Sequence, residues 1–359
     1  MSSRLTIGIL FLLSAIQLHA QAVTARWSEA KANEWYQHQP WLVGSNYLPA
    51  TAINQLEMWQ PESFDPAQID KEFGWAESLG MNTMRVFLHD LLWQQDSAGF
   101  KKRIDQFLAI ASSHHIRPIF VLFDSCWDPY PKLGPQHPPI PGVHNSGWLQ
   151  SPGALALKDQ GQEPRLRSYI EGVVGAFAND PRVLAWDVWN EPSNTNGGAY
   201  HEVELPDKQK RVLELLPKVF DWARSAKPSQ PLTSGLWEGD WSVPEKLDPI
   251  ARVQFEQSDA LISQLQLAGR FRAARALAGK ISSANSLHGI HGSLGGQHLR
   301  HDFAHRQTAP PGSNQLGFCC RQIANLLSVG FMGKTLRAAA AGGLVPRRFP
   351  YRWPPVSRA

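Results

Sequence analysis

Cysteine is scarce in this sequence. Three cysteines occur among its 359 residues, at Cys126, Cys319 and Cys320, and they form neither a disulfide framework nor the spacing of a zinc site. Glycine-rich phosphate loops and clusters of metal-ligating residues are also missing. We therefore expect that the protein uses neither a metal ion nor an organic cofactor.

Long apolar runs are missing beyond the N-terminus. Residues 5–18 are largely apolar, follow Arg4 and precede small residues around Ala20. This run is shorter than the roughly 20 residues of a membrane-spanning helix, and it has the pattern of a secretory signal peptide. We expect residues 1–20 to be a signal peptide, the protein to be secreted or periplasmic, and stable membrane insertion to be absent.

Acidic residues are almost missing from the last part of the chain. Before Ile262 there are 22 lysines and arginines against 30 acids, whereas from there onward 13 basic residues face the single acid Asp302. Thirteen of the 14 tryptophans lie at or before Trp241. We interpret residues 21–261 as the N-terminal part of a catalytic domain and residues 262–359 as an aberrant or disordered basic tail.

Strand-like and helix-like segments alternate through the first part. The predicted strands are residues 41–47, 82–88, 117–124, 185–191 and 230–237. The predicted helices are residues 64–79, 101–115, 166–178 and 208–226. Such alternation indicates βαβ units with a parallel sheet. We predict an α/β fold of the (β/α)8 TIM-barrel type, incomplete in this chain, with about five to six β/α units before the tail.

The fourth predicted strand ends in Trp189-Asn190-Glu191-Pro192. A carboxylic acid at the carboxyl end of a buried parallel strand lies where a barrel places its chemistry. Apolar neighbours such as Trp186 and Trp189 raise the pKa of a carboxyl group and favour its use as a general acid. Glu191 is therefore the first catalytic candidate; the alternative is a solvated loop glutamate.

These residues resemble glycoside hydrolase family 5 and related retaining (β/α)8 glycosidases. The resemblance lies in Asn-Glu-Pro after a tryptophan-rich strand, an upstream strand arginine and the opening Gly-Ser-Asn-Tyr, and it spans roughly residues 35 to 261. It implies that Glu191 is the general acid/base, that Asn190 contacts the sugar 2-hydroxyl and that Arg85 supports the nucleophile. It also implies a β-linked polysaccharide or oligosaccharide as substrate.

Further candidates for sugar contact surround this motif. The glycine- and proline-rich segment 125–153 is too long for a simple connection, which indicates a functional loop. The substrate-binding candidates beyond Asn190 and Arg85 are Trp127, His144, Trp148 and Trp237. The alternatives are ordinary packing for the tryptophans, solvent exposure for the histidine, a structural ion pair for Arg85 and a turn position for Asn190.

The second carboxylate of a retaining site is missing. Retaining hydrolysis needs two carboxyl groups roughly 5 Å apart, and the resemblance implies that the seventh strand carries the nucleophile. After Ile262 the sequence offers only Asp302, with no strand pattern around it. We therefore expect a glycosidase that is inactive in this form; the alternative is a carbohydrate-binding pseudoenzyme without turnover.

A change of reading frame accounts for both the missing acid and the charge break. Translated one nucleotide later, with third bases chosen freely, residues 288–292 become Thr-Glu-Tyr-Met-Ala, which resembles a seventh-strand nucleophile motif. The same shift gives Phe-His-Asn-Tyr at 262–265, Ile-Asn-Trp-Gly-Phe-Val-Ala-Gly-Lys at 314–322 and Trp-Phe-His-Asp-Val-Phe at 344–349. Four matches in family order and in one frame indicate a slip near residues 260–262, by sequencing error or true mutation.

The alternative is a genuine basic tail that binds nucleic acid or an anionic surface, as arginine-rich and acid-poor segments do. Export disfavours nucleic acid, and the arginines are scattered rather than clustered. We expect no nucleic-acid partner.

Resequencing of the gene across codons 255–265 tests the frame hypothesis. We expect a frame-changing insertion or deletion relative to the barrel-encoding frame at this junction. An unbroken frame that encodes residues 262–359 as they stand would contradict the hypothesis.

Overall fold

The computed structural model describes residues 25–143, 145–196, 200–236 and 244–260. They form an α/β fold with one five-stranded sheet, in which all strands are parallel and follow one another in chain order. This confirms the predicted α/β class and the order of the first five β/α units. The predicted signal peptide, the predicted basic tail, His144 and Trp237 lie outside the described residues.

All five predicted strands are present in the sheet. They are β1 (Gly44–Tyr47), β2 (Thr83–Phe87), β3 (Arg117–Asp124), β4 (Ala185–Asn190) and β5 (Leu232–Gly235). The first strand is shorter than predicted because the backbone N–H of Val43 donates to the side chain of Asn82 rather than to the sheet. In the register, Asp124 lies opposite Asn190 and Asn190 lies opposite Gly235. The carboxyl ends of three strands therefore meet.

Eight α-helices surround the strands in the described residues. They are α1 (Glu29–Gln37), α2 (Gln55–Trp59), α3 (Pro66–Ser78), α4 (Asp90–Ser113), α5 (Ala154–Lys158), α6 (Glu163–Ala176), α7 (Lys208–Ser225) and α8 (Pro249–Gln257). The four predicted helices correspond to α3, α4, α6 and α7. In this part of the chain no helix has the length and apolarity of a membrane span.

Helix α4 begins eleven residues before its predicted start at residue 101. The side chain of His89 accepts the N–H of Leu91 and so caps the helix. Asp96 has non-helical backbone angles inside it. The predicted segment is therefore the second part of a longer, kinked helix.

Aromatic side chains fill the space between the sheet and the helices. Every residue of β2, β4 and β5 is buried, which is typical of a parallel sheet with both faces covered. The rings of Phe120 and Trp186 lie 5.7 Å apart, and those of Phe123 and Trp189 lie 5.1 Å apart. Trp186 and Trp189 are thus part of the core, which holds β4 in place.

In the loop after β3, the described residues between 125 and 153 contain no α-helix and no strand of the sheet. Two isolated β-bridges attach this loop to its surroundings. These bridges join Asp124 to Ser151 and Asp128 to Leu149. The loop is therefore attached to the carboxyl end of β3 at its base, on the side of the sheet where Glu191 lies.

Candidate active site

Glu191 directly follows β4 and has a left-handed backbone, with φ of +44°. This conformation is uncommon for a residue with a side chain, and such positions cluster at functional sites. The backbone N–H of Glu191 donates to the carbonyl of Gly235 on the neighbouring strand, at 3.2 Å. The backbone of Glu191 is thereby held at the carboxyl end of the sheet, where the sequence predicted this residue.

The carboxyl group of Glu191 lies in a desolvated environment. Burial raises its pKa above the ordinary value, and the charge of Asp124 raises it further, although a donor from Asn194 opposes both. The amide nitrogen of Asn194 lies 2.9 Å from Oε2, and Sγ of Cys126 lies 3.2 Å from the same oxygen. A carboxyl group with a raised pKa is suited to proton donation near neutral pH.

Arg85 joins the middle of the sheet to this end. From β2 it donates through Nε to Asp187 at 3.0 Å, and through Nη2 to Asp187 and to Oδ1 of Asn190, the latter at 2.9 Å. Both charged side chains of this ion pair are almost fully buried. Arg85 is therefore a structural ion-pair partner, and it also contacts the asparagine of the predicted motif.

Asn190 connects this ion pair to a second buried acid. Its Nδ2 donates to Oδ1 of Asp124 at 2.8 Å, while Oδ2 of Asp124 accepts the indole N–H of Trp148 at 2.6 Å. Burial raises the pKa of Asp124, although these two donors and the backbone of Cys126 oppose the shift. The amide orientation of Asn190 is set by one donor and one acceptor, since each of its two polar atoms has a defined partner.

Gly235 leaves room for the arginine. A Cβ atom at this position would lie 2.8 Å from Nη2 of Arg85 and 3.4 Å from Oδ1 of Asn190. Because a side chain there would displace the guanidinium, the end of β5 requires a glycine for this arrangement.

Trp127 begins the long loop in a left-handed conformation, with φ of +73°. Asn196 binds both of its backbone groups: Oδ1 accepts the N–H at 3.0 Å, and Nδ2 donates to the carbonyl at 2.7 Å. The side chain is partly buried and packs against the core. The backbone of Trp127 is therefore fixed directly after Cys126, and part of the side chain stays exposed.

The buried ion pair between Lys208 and Glu204 holds the loop after β3 in place. Nζ of Lys208 donates to the carbonyl of Ser125 and to Oε2 of Glu204, each at 2.6 Å. The same carboxylate oxygen accepts donors from Gln150 at 2.7 Å and Asn196 at 2.6 Å. Burial lowers the pKa of the lysine, although the charge of Glu204 opposes the shift. The loop after β3 is thus bonded to the start of α7.

The structure brings Glu191, Asn190 and Arg85 together, with Trp127 and Trp148 close by in the chain segment after β3. Trp148 is buried, with 6% of its surface exposed, and its ring packs edge-on against Phe87 at 5.0 Å. Its direct sugar contact stays a prediction, as do those of His144 and Trp237, which lie outside the described residues.

Sequence reasoning missed several members of this site. The missed residues are Asp124, Cys126, Asp187, Asn194, Asn196, Glu204 and Lys208. Two of them carried a signal: Asp187 is a charge inside an apolar strand, and Asp124 ends a predicted strand. The others lie in loops or at a helix end, and their contacts arise from distant parts of the chain.

The arrangement can hold and transfer a proton at Glu191, next to a fixed amide at Asn190. Among the described residues, no group of three or more His, Cys, Asp or Glu side chains has the geometry of a metal site. The chemistry that these residues offer is acid/base chemistry of a buried carboxyl group.

Several solved structures are similar to this chain. A GH5_18 variant from Streptomyces cattleya in complex with Manb1-4GlcNAc has 15% identity, covering 58% of this chain and 48% of that chain, with a TM-score of 0.41. An exo-beta-1,4-mannosidase from Opitutaceae bacterium strain TAV5 has 19% identity, covering 66% and 44%, with a TM-score of 0.46. A beta-1,4-mannanase from the sea hare Aplysia kurodai has 16% identity, covering 60% and 68%, with a TM-score of 0.39.

The chain spans about half the length of the first two of these structures. No protein-family model and no curated protein matches the chain.

The burial of the Arg85–Asp187 ion pair predicts that removing one of its partners destabilises the protein more than removing a partner of an exposed ion pair. Asp187→Ala leaves a buried arginine without its counter-charge, so we expect the free energy of unfolding to fall by about 3–5 kcal/mol. The measurement is urea unfolding of the full chain, followed by tryptophan fluorescence.

Asp105→Ala is the matched control. Asp105 also pairs with an arginine, Arg182, at 2.6 Å, but its side chain is 63% exposed. Removal of an exposed partner costs less than about 1 kcal/mol. Equal small losses for the two variants would contradict the assignment of a buried ion pair.

Proposed function

We propose that this chain derives from an exported retaining glycosidase that cleaves O-glycosidic bonds of β-linked polysaccharide or oligosaccharide. The observation that carries the proposal is the position and environment of Glu191. Its carboxyl group has a raised pKa, directly follows a buried parallel strand, and lies beside an amide whose orientation is fixed by Arg85 and Asp124.

In this proposal Glu191 acts in both halves of a double displacement. As an acid it protonates the leaving oxygen while a nucleophilic carboxylate attacks the anomeric carbon. As a base it then takes a proton from the water that releases the sugar. Asn190 binds the sugar 2-hydroxyl, and Arg85 keeps Asn190 in place while its charge lies next to the position of the nucleophile.

The nucleophile is the missing part. The sequence from Ile262 onward has one acid, Asp302, in a context that does not resemble a strand end. The frame-shifted translation supplies a glutamate in place of Gly289. The chain in its present form is therefore proposed to lack turnover, and the frame-restored chain to have it.

Turnover of aryl β-glycosides by the two purified chains tests the proposed function. We expect no measurable hydrolysis by the present chain and hydrolysis by the frame-restored chain. In the restored chain, Glu191→Gln should lower kcat/KM for a methylumbelliferyl glycoside or a disaccharide, whose leaving groups need a proton, by about 10²–10⁴-fold, the usual contribution of a general acid or base.

A leaving group that needs no proton separates acid catalysis from structural damage. With a dinitrophenyl glycoside we expect formation of the glycosyl-enzyme to be nearly normal in Glu191→Gln, whereas a methylumbelliferyl or disaccharide substrate reacts slowly. Glu202→Gln, which changes an exposed glutamate, is the matched control and should leave both rates unchanged. Hydrolysis by the present chain, or equal loss with both leaving groups, would defeat the proposal.

We expect Trp127 to contribute to sugar binding, and this contribution can be measured without hydrolysis of the sugar. The partly exposed ring of Trp127, in the loop one residue after Cys126, is suited to stacking on a sugar face. We expect Trp127→Ala to weaken binding of a soluble β-1,4-linked mannan, xylan or glucan oligosaccharide roughly tenfold, measured by titration calorimetry on the frame-restored chain.

Tyr36→Ala is the control for this measurement, because Tyr36 is an exposed aromatic residue on α1. Unchanged affinity in Trp127→Ala would remove Trp127 from the site. Sugar affinity in the present chain without turnover would favour the second candidate, a carbohydrate-binding pseudoenzyme that retains the aromatic residues but not the chemistry.

A further inference from the structure

Cys126 contacts both acids of the site, the buried Asp124 through its backbone N–H and the partly buried Glu191 through its thiol. It is 5% exposed, and its Sγ lies 3.2 Å from Oε2 of Glu191. The amide nitrogens of Asn190 and Asn194 lie 3.5 Å and 3.4 Å from the same sulfur. The thiol is therefore surrounded by groups with defined hydrogen-bonding roles.

The roles of these neighbours determine where the thiol hydrogen points. An amide nitrogen can only donate, so the sulfur accepts from both asparagines. The thiol has a single hydrogen, and the carboxyl groups of both Asp124 and Glu191 lie within its hydrogen-bonding reach. Asp124 already accepts from Trp148, from Asn190 and from the backbone of Cys126. We therefore assign the S–H hydrogen to Oε2 of Glu191, which lies 3.2 Å from the sulfur.

The sulfur stays protonated in this position. Burial raises the pKa of Cys126 well above its ordinary value, and the charges of Asp124 and Glu191 raise it further. A thiol with a raised pKa is a weak nucleophile. Its available function at neutral pH is hydrogen-bond donation.

We propose that Cys126 is a positioning residue for Glu191: its S–H group and the amide of Asn194 both donate to Oε2, so that the catalytic proton is carried by the other carboxyl oxygen. This inference rests on the proposed role of Glu191 as general acid/base. It assigns to the loop after β3 a function in orienting the acid, in addition to its contact with sugar.

Two donors on one oxygen suit a group that must alternate between acid and base. Burial favours the protonated form that the first step needs. Hydrogen bonds from Cys126 and Asn194 favour the carboxylate that the second step needs, because donors stabilise the charged form. Without the thiol, the proton would be held more tightly and its position on the carboxyl group would be less defined.

The groups that act on the charge of Glu191 come from strands β2 and β3 and from the segments that follow β3 and β4. Asp124 at the end of β3 raises its pKa, and Arg85 on β2 lowers it, while Cys126 and Asn194 act by hydrogen bonds. The hydrogen bond from Cys126 stabilises the ionised carboxylate and so lowers the pKa of Glu191. If this donor is removed and the other groups stay in place, the pKa of Glu191 should rise further.

Titration of Glu191 in the full chain tests the inference without any need for turnover. The side-chain carbonyl carbons of glutamate are labelled with ¹³C, and the Glu191 signal is identified as the one lost in Glu191→Gln. We expect Cys126→Ala to raise the pKa of Glu191 by about half a unit to one unit. We expect Cys126→Ser, which retains a donor, to leave it close to that of the unaltered chain.

Thr83→Ala is the control for non-specific damage. Thr83 donates to the carbonyl of Arg117 at the amino end of the sheet, so its removal should not change the titration of Glu191. The inference is overturned if Cys126→Ala leaves the pKa unchanged, or if Cys126→Ser shifts it as much as Cys126→Ala does.

The same experiment separates this inference from the proposed function. A rise in Cys126→Ala with rescue in Cys126→Ser supports positioning, even if the frame-restored chain hydrolyses no glycoside. Turnover by the frame-restored chain together with an unchanged pKa in Cys126→Ala would support the proposed function and overturn the role of Cys126.

Discussion

The buried ion pair between Arg85 and Asp187 is the interaction on which the site depends. A guanidinium inside a parallel sheet needs a counter-charge and further acceptors, since an unpaired buried charge is strongly destabilising. Asp187 supplies the charge, Asn190 supplies the acceptor, and Gly235 supplies the space. Because Arg85 holds Oδ1 of Asn190, the amide nitrogen Nδ2 faces Asp124. Glu191 follows in a left-handed backbone conformation at the end of the sheet.

The sequence allowed prediction of the parts of the fold that depend on local pattern. The strand 117–124 agrees with β3 to the residue, and Glu191 lies where the tryptophan-rich strand ends. Helix α8 had recognisable signals, an N-capping Asp248 followed by Pro249, but it was not predicted. The contacts of Cys126 could not be predicted, because they join residues 64, 65 and 68 positions apart that meet only when parallel strands align their ends.

In the proposed function, the described site supplies one of the two carboxyl groups that retaining hydrolysis requires. Its acid, the amide beside it and the loop with Trp127 all come from residues before 237, where acids and tryptophans are frequent. The residues that would complete the site are encoded, by our hypothesis, in the gene but in another frame. The change in composition at residue 262 and the missing nucleophile then have a single cause.

Covalent labelling by a 2-deoxy-2-fluoro-β-glycosyl fluoride tests this central claim most directly, because the reagent traps the glycosyl-enzyme of a retaining enzyme. Intact-mass spectrometry of the frame-restored chain should show the gain of one fluoroglycosyl group, and peptide mapping should place it on the glutamate that replaces Gly289. The present chain should show no gain in mass. Labelling of the present chain, or failure of the restored chain to react with gluco-, manno- and xylo-configured reagents alike, would contradict the claim.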